Sequence, residues 1–359
     1  MTEAGPINMR RFCAKLAGIF LILEILLRSF DAVKFGRNFW DARIYVPDKH
    51  LIWKYNPGYR GRIYQFHDMR VNSEGLIGAE LKAEKPKNEV RILFLGESVL
   101  LGTGASSYDE AYIKVLERRL QQRKDSREYV LLNAATPSYS SYNGLQFVKY
   151  RLQELKIDFL VIGFGWNDNS FDITSDKDTD KDWCFYSLAV SGVTNLSRGL
   201  KYMLQFQRIL LKEKNQIETE IKAKLGISVN RERRGLPRRV PLPDYLENMR
   251  NMAKICHANQ VKPVFITLPR PHNVFINSHK IEAIDIYNRE LKKLAQQNHY
   301  LMADVDSAFS LYPYDEFFPD YTQQFEYPNA AGHKLMGEVI YSALFADAGM
   351  IQEEENLQY

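Results

Sequence analysis

The sequence is poor in the residues that announce a disulfide scaffold, a metal or a redox centre. It has three cysteines, Cys13, Cys184 and Cys256, too few for a disulfide framework and none in a C-x-x-C pair. Seven histidines are few enough to inspect singly. Neither sign of charge dominates: 48 Lys and Arg against 44 Asp and Glu leave +4, which excludes a nucleic-acid binder driven by general phosphate attraction. No internal repeat is visible, and no uninterrupted apolar run reaches the roughly 20 residues of a spanning helix. What is present is apolar and aromatic. With 45% hydrophobic and 13% aromatic residues over 359 positions, global disorder is excluded, and the length fits two domains or one large decorated domain.

Arg10 and Arg11 precede a largely apolar stretch, residues 12–27, interrupted by Lys15 and Glu24 and closed by Arg28. Extension to Val33 reaches spanning length only by including Arg28 and Asp31. No small-x-small cleavage site follows, and basic residues ahead of the run fit the positive-inside pattern. Residues 1–33 are therefore expected to be a membrane anchor or signal segment, with the body of the chain outside the cytoplasm, periplasmic or extracellular. The alternative is an amphipathic helix packed on the protein's own surface.

Residues 34–90 are aromatic-rich and irregular, an extension expected to pack on the main domain. A regular alternation then begins. Short apolar strands are expected at 91–95, 129–132, 159–162, 263–267 and 300–303. Helical spacing falls at 108–122, 144–155, 246–257, 281–297 and 330–345. Such alternation implies right-handed crossovers and a parallel five-stranded sheet in an α/β domain over 91–347. Ligands in such sheets sit at the carboxyl ends of the strands. A stretch at about 170–240 interrupts the pattern. It starts acidic (Asp172, Asp176, Asp178, Asp180, Asp182), has helical spacing over 200–225, and ends in the basic turn 231–241. It is expected to be a helical insertion near the active face, its arginines a solvated linker or a surface for anionic lipid or polysaccharide. Residues 348–359 read as a tail.

The chemistry is expected behind the first three strands. Gly96-Glu97-Ser98 places a serine just past the first strand end, and Gly102 and Gly104 follow. A Walker loop is excluded by the missing Lys-Ser/Thr ending, and a dinucleotide fingerprint by the wrong glycine spacing. Alone, Ser98 would read as a helix N-cap. The third strand adds Gly165-Trp166-Asn167-Asp168, whose Asn167 amide could aim at an oxyanion forming on Ser98. Together these blocks resemble the SGNH, or GDSL, hydrolases. Leu95-Gly96-Glu97-Ser98 looks like the GDSL block with Glu97 in the Asp position. Asn133 to Ser141 falls where the family has its second glycine block, and Gly165 to Asp168 resembles its G-x-N-D block. The resemblance covers about residues 40–345. It implies a flavodoxin-like three-layer α/β/α sandwich and hydrolysis of acyl esters of carbohydrate or lipid, with no metal or cofactor. Ser98 would be the nucleophile, and the backbone N–H groups of Ser98 and Ser138 with the Asn167 amide would form the oxyanion hole.

Two departures stand out. Ser138 replaces the family's glycine, losing easy access to φ > 0. The C-terminal Asp-x-x-His-Pro-Asn pattern aligns with Gln324-Phe325-Glu326-Tyr327-Pro328-Asn329, so Tyr327 stands for the base histidine and Gln324 for its orienting aspartate. A serine without a base is a poor nucleophile at neutral pH. His333 is the leading substitute base, and its bland role is packing at the start of the closing helix. His272 is expected at the active face as a substrate or loop contact. Two functions follow: a membrane-anchored serine esterase or O-deacylase, or a catalytically impaired domain of the same fold that binds a glycan or an envelope-assembly partner. The oligomeric state and any Cys184–Cys256 pairing are not legible.

Overall fold

Strands buried on both faces and helices buried on one dictate the architecture. The structure, a computed structural model, describes residues 9–35, 43–171, 175–177, 237–272, 279–318 and 326–345. Helix α1 (Met9–Phe35) comes first. Two small antiparallel pairs follow: β1 (Tyr45–Asp48) with β2 (Ile52–Tyr55), and β3 (Arg60–Ile63) with β4 (Phe66–Arg70). Then come β5 (Ile77–Gly78), β6 (Glu89–Gly96), the short α2 (Ser98–Leu101), α3 (Tyr112–Gln121), β7 (Glu128–Asn133), α4 (Ser141–Leu155) and β8 (Phe159–Gly163). The second half holds α5 (Leu242–Ala258), β9 (Lys262–Ile266), α6 (His279–Asn298), β10 (Leu301–Ala303), α7 (Val305–Phe309), α8 (Tyr314–Phe317) and α9 (Ala330–Leu344).

The central sheet runs in the order β10-β9-β8-β6-β7-β5. Five strands are parallel, and the sixth, β5, pairs antiparallel with β7. The expected five-stranded sheet is thus corrected to six. A two-residue strand leaves no alternation to detect, and it fits because Gly78 (φ +148) has no Cβ, which would lie 2.8 Å from the Leu131 carbonyl. Helices α3 and α9 pack on one face of the sheet, and α4 and α5 pack together on the other, giving three layers. Ile92, Leu93, Phe94 and Leu95 of β6 are fully buried between them, each contributing about 1.5–3 kcal/mol relative to exposure.

The irregular extension is better ordered than its sequence suggested, because its aromatic residues reach the main domain. Tyr55 Oη donates to the Ala135 carbonyl (2.9 Å), Tyr139 Oη donates to the Trp53 carbonyl, and Asn143 Nδ2 donates to the Leu51 carbonyl (3.2 Å). These bonds brace the segment after β7, where Ser138 lies. The helical reading of 200–225, the Cys184 position and the tail fall outside the described residues. Cys256 is a free, buried thiol. Residues 1–33 are expected to be an anchor or signal segment, and among the described residues no helix is long and apolar enough to cross a membrane. In α1 the apolar run is broken by Lys15, Glu24, Arg28 and Asp31.

Candidate active site

Strand β6 ends at Gly96, and Ser98 opens α2 directly beyond it, 7% exposed. Its hydroxyl meets Tyr327 Oη at 3.2 Å. Among the described residues no other side chain is hydrogen-bonded to Ser98 Oγ. Tyr327 precedes α9, whose N-cap is Asn329: Asn329 Oδ1 accepts from the Gly332 N–H at 3.0 Å, and its Nδ2 donates to the Glu316 carbonyl at 2.7 Å. The Pro-Asn of the family block thus has a local capping role that holds residue 327 over the serine. Burial and the neighbouring Glu326 charge push the Tyr327 phenol well above its ordinary range, against the opposing Ser98 hydrogen bond. It keeps its proton at neutral pH and cannot take another from Ser98. Tyr64, from the β3–β4 turn, approaches Tyr327 Oη at 3.5 Å and is 47% exposed.

The other side of Ser98 is a braced set of amides. Glu97 is fully buried, and its two carboxylate oxygens accept the backbone N–H groups of Trp166 and Asn167 at 2.8 Å each. Burial raises the Glu97 pKa well above its ordinary value and the Asp168 and Glu326 charges add to this, while the two N–H donors oppose it. Asn167 Nδ2 spends one hydrogen on the Tyr139 carbonyl at 2.9 Å, which leaves the second. Ser138 adopts φ +68, so a serine does take the left-handed conformation that the family gives to glycine. Among the described residues, neither the Ser98 nor the Ser138 N–H donates to a protein acceptor. Asp168 sits behind this set, accepting from the Ser141 N–H at 3.0 and 3.2 Å. Burial lifts its pKa to about 7 against that hydrogen bonding.

The structure does not bring His333 to Ser98. The imidazole is completely buried, its Nε2 bonded to the Thr103 carbonyl at 3.1 Å and its Nδ1 without a partner. Burial lowers its pKa to about 4 despite that backbone bond, so it is neutral at neutral pH, with the proton assigned to Nε2. Of its two roles, packing in the closing helix is the one the geometry fits. His272 is engaged with Asp306, Nε2 to Oδ1 at 2.9 Å, beside the Arg270–Asp306 and Arg270–Asp285 ion pairs. Its described hydrogen bonds do not include Ser98. The basic turn also turns out partly internal. Arg238 Nη1 donates to the Asn169 carbonyl, and Arg239 pairs with Asp176 while donating to the Ser138 carbonyl. Sequence reasoning grouped Arg239 with a solvated surface and gave Tyr64 no role, since partners 101 and 263 residues away leave no local pattern.

No curated protein matches the chain. Among solved structures, an acetylxylan esterase from Geobacillus stearothermophilus is similar at 14% identity, with 72% of this chain and 96% of that chain covered and a TM-score of 0.44. A GDSL-like lipase from Bacteroides thetaiotaomicron shares 13% identity over 74% of this chain and 93% of its own, with a TM-score of 0.44. The family model described as GDSL-like Lipase/Acylhydrolase family matches residues 94–335, from the end of β6 into α9. That span takes in Ser98, Ser138, Asn167 and Tyr327 and more than half of the sequence, and the chain belongs to the GDSL-like lipase/acylhydrolase family.

Proposed function

We propose that this chain recognises acyl esters of carbohydrate or lipid at Ser98 and that its turnover of them is impaired. One observation carries the proposal: the hydroxyl that would attack the ester carbonyl is hydrogen-bonded to a protonated phenol, Tyr327 Oη at 3.2 Å. Attack by Ser98 Oγ would form one C–O bond and move the carbonyl electrons onto oxygen. In this reading the backbone N–H groups of Ser98 and Ser138 and the second Asn167 Nδ2 hydrogen donate to that oxygen. Among the described residues the only side chain hydrogen-bonded to Ser98 Oγ is that of Tyr327, which retains its own proton and so does not take the serine's.

A fluorophosphonate probe and short acyl esters test this. The wild type is expected to label and turn over slowly at Ser98. Tyr327→His combined with Gln324→Asp is expected to raise both by about 10²–10⁴, the usual worth of a positioned base. Fast wild-type hydrolysis that disappears in Ser98→Ala and in His333→Ala or His272→Ala would overturn the proposal and restore the second reading, a fully competent esterase. That reading is favoured by one feature, the retained set of oxyanion-facing donors.

The proposal includes a membrane-attached, extracytoplasmic location. Helix α1 exposes Ile19, Phe20, Leu21, Ile22 and Leu26 among other apolar side chains, a surface suited to a lipid interface, and Arg10 and Arg11 stand ahead of it. Flotation of the full chain with lipid vesicles, lost on removal of residues 1–35, is the expected result. A chain that stays with the soluble fraction would refute the attachment.

A further inference from the structure

Ser138 stands in a conformation its side chain disfavours. At φ +68 the Cβ of a non-glycine residue crowds the following carbonyl oxygen, so something must hold Ser138 there. The atoms that do so come from Asp176 and Arg239, near the two ends of the stretch at about 170–240. Arg239 Nη2 donates to the Ser138 carbonyl at 2.9 Å. The same guanidinium is fixed by Asp176, Nε to Oδ1 at 3.0 Å and Nη2 to Oδ2 at 2.9 Å. Asp176 in turn accepts from Ser140 Oγ, two residues past Ser138, and its N–H donates to the Arg239 carbonyl at 2.8 Å. The backbone of Arg239 is anchored as well, its N–H donating to the Ser170 carbonyl at 2.7 Å, and the Val240 N–H donates to the Asp168 carbonyl at 3.0 Å. Arg239 and Asp176 side chains are both mostly buried, so the pair is not a screened surface contact.

We propose that Arg239, fixed by Asp176, is the positioning residue for the Ser138 amide. It holds the serine that replaces a glycine in the φ > 0 conformation, and so ties an oxyanion donor to the segment at residues 237–240. The inference rests on the acyl-ester reading of Ser98. Its physical content is a substitution pair: glycine takes φ > 0 unaided, whereas serine there needs a fixed partner on its carbonyl. Arginine suits the task because its planar fork bonds a carboxylate and a carbonyl at once, which lysine does not.

The experiment compares the full-length wild type, Arg239→Gln, Ser138→Gly and the double variant. The Tyr139 N–H, which donates to the Thr136 carbonyl at 3.1 Å, reports whether the turn around Ser138 is held. Arg239→Gln is expected to strip hydrogen-exchange protection from the Tyr139 amide and to slow fluorophosphonate labelling of Ser98 about a hundredfold. Ser138→Gly in the same chain is expected to restore both to within about twofold of Ser138→Gly alone. A merely structural Arg239 would leave the glycine without rescuing effect. Protection at Tyr139 that is unchanged in Arg239→Gln, or lost and not regained in the double variant, overturns the proposal. A wild type that never labels at Ser98 counts against the acyl-ester reading instead, and the Tyr139 amide then decides the clamp by itself.

Discussion

Glu97→Gln offers the sharpest test of how the oxyanion side of the site is held. The two side chains have the same shape, but one oxygen becomes an NH2 group. In the native site both oxygens accept backbone N–H groups, Trp166 and Asn167 at 2.8 Å each. An NH2 facing one of these N–H groups leaves it unmatched in a fully buried place, at about 1–3 kcal/mol. A protonated carboxyl loses less, since its hydroxyl oxygen still accepts. Against this, the wild type carries a buried acid whose pKa is raised from an ordinary 4.5 by burial. A group with a raised folded pKa is fully stabilising below its unfolded pKa and loses that stability as pH rises through the folded one. The glutamine carries no such dependence. The variant is therefore expected to be less stable by about 2 kcal/mol near pH 5, some thirtyfold in the folded-to-unfolded ratio. The gap should shrink as pH rises from 5 toward 8, because the buried wild-type acid resists the ionisation that its unfolded form undergoes. Urea unfolding of both chains across that range measures it. Because the two chains are compared at each pH, titration of Asp168 and His333 largely cancels. A gap that widens with pH would show that the two N–H donors outweigh burial and that Glu97 is ionised and stabilising, which would refute the reasoning.

Three further outcomes are expected. Gly104→Ala puts a Cβ 2.1 Å from the Pro328 carbonyl oxygen at φ +106, so it should destabilise by at least about 2 kcal/mol and push the 327–328 backbone away from Ser98; unchanged thermal unfolding would contradict the close approach. His333 has a depressed pKa of about 4, so it favours the fold above its unfolded pKa and that contribution is lost as pH falls from about 6.5 to about 4, up to roughly 3 kcal/mol. His333→Gln, which keeps an N–H for the Thr103 carbonyl, should flatten this acid limb, and an unaltered limb would assign it elsewhere. Asp168, raised to about 7, has the opposite sign. Its Asn variant should remove a loss of stability between about pH 4 and pH 7, visible as a flatter urea midpoint over that window.

The sequence by itself determined the order and type of the main elements. Strands such as β6 and β8 are buried on both faces and read as short apolar runs, and α3 and α4 carry one-sided apolar spacing, so local periodicity reports them directly. It also placed Ser98, Ser138 and Asn167 at neighbouring strand ends, since a parallel sheet brings consecutive carboxyl ends together. The alignment that put Tyr327 in the histidine position was likewise legible. Tertiary structure decided the rest. Whether His333 could serve Ser98 depended on which way α9 turns its second helical turn, and it turns that imidazole into the core against Thr103. The antiparallel β5 edge rests on two residues, one of them a glycine, below any periodic signal. The partners of Ser138 and Tyr327 lie 101 and 229 residues away in the chain. A hydrogen bond between such distant positions is made by the packing of elements and leaves no local trace, and that is why the basic turn read as a surface when Arg239 is a half-buried brace.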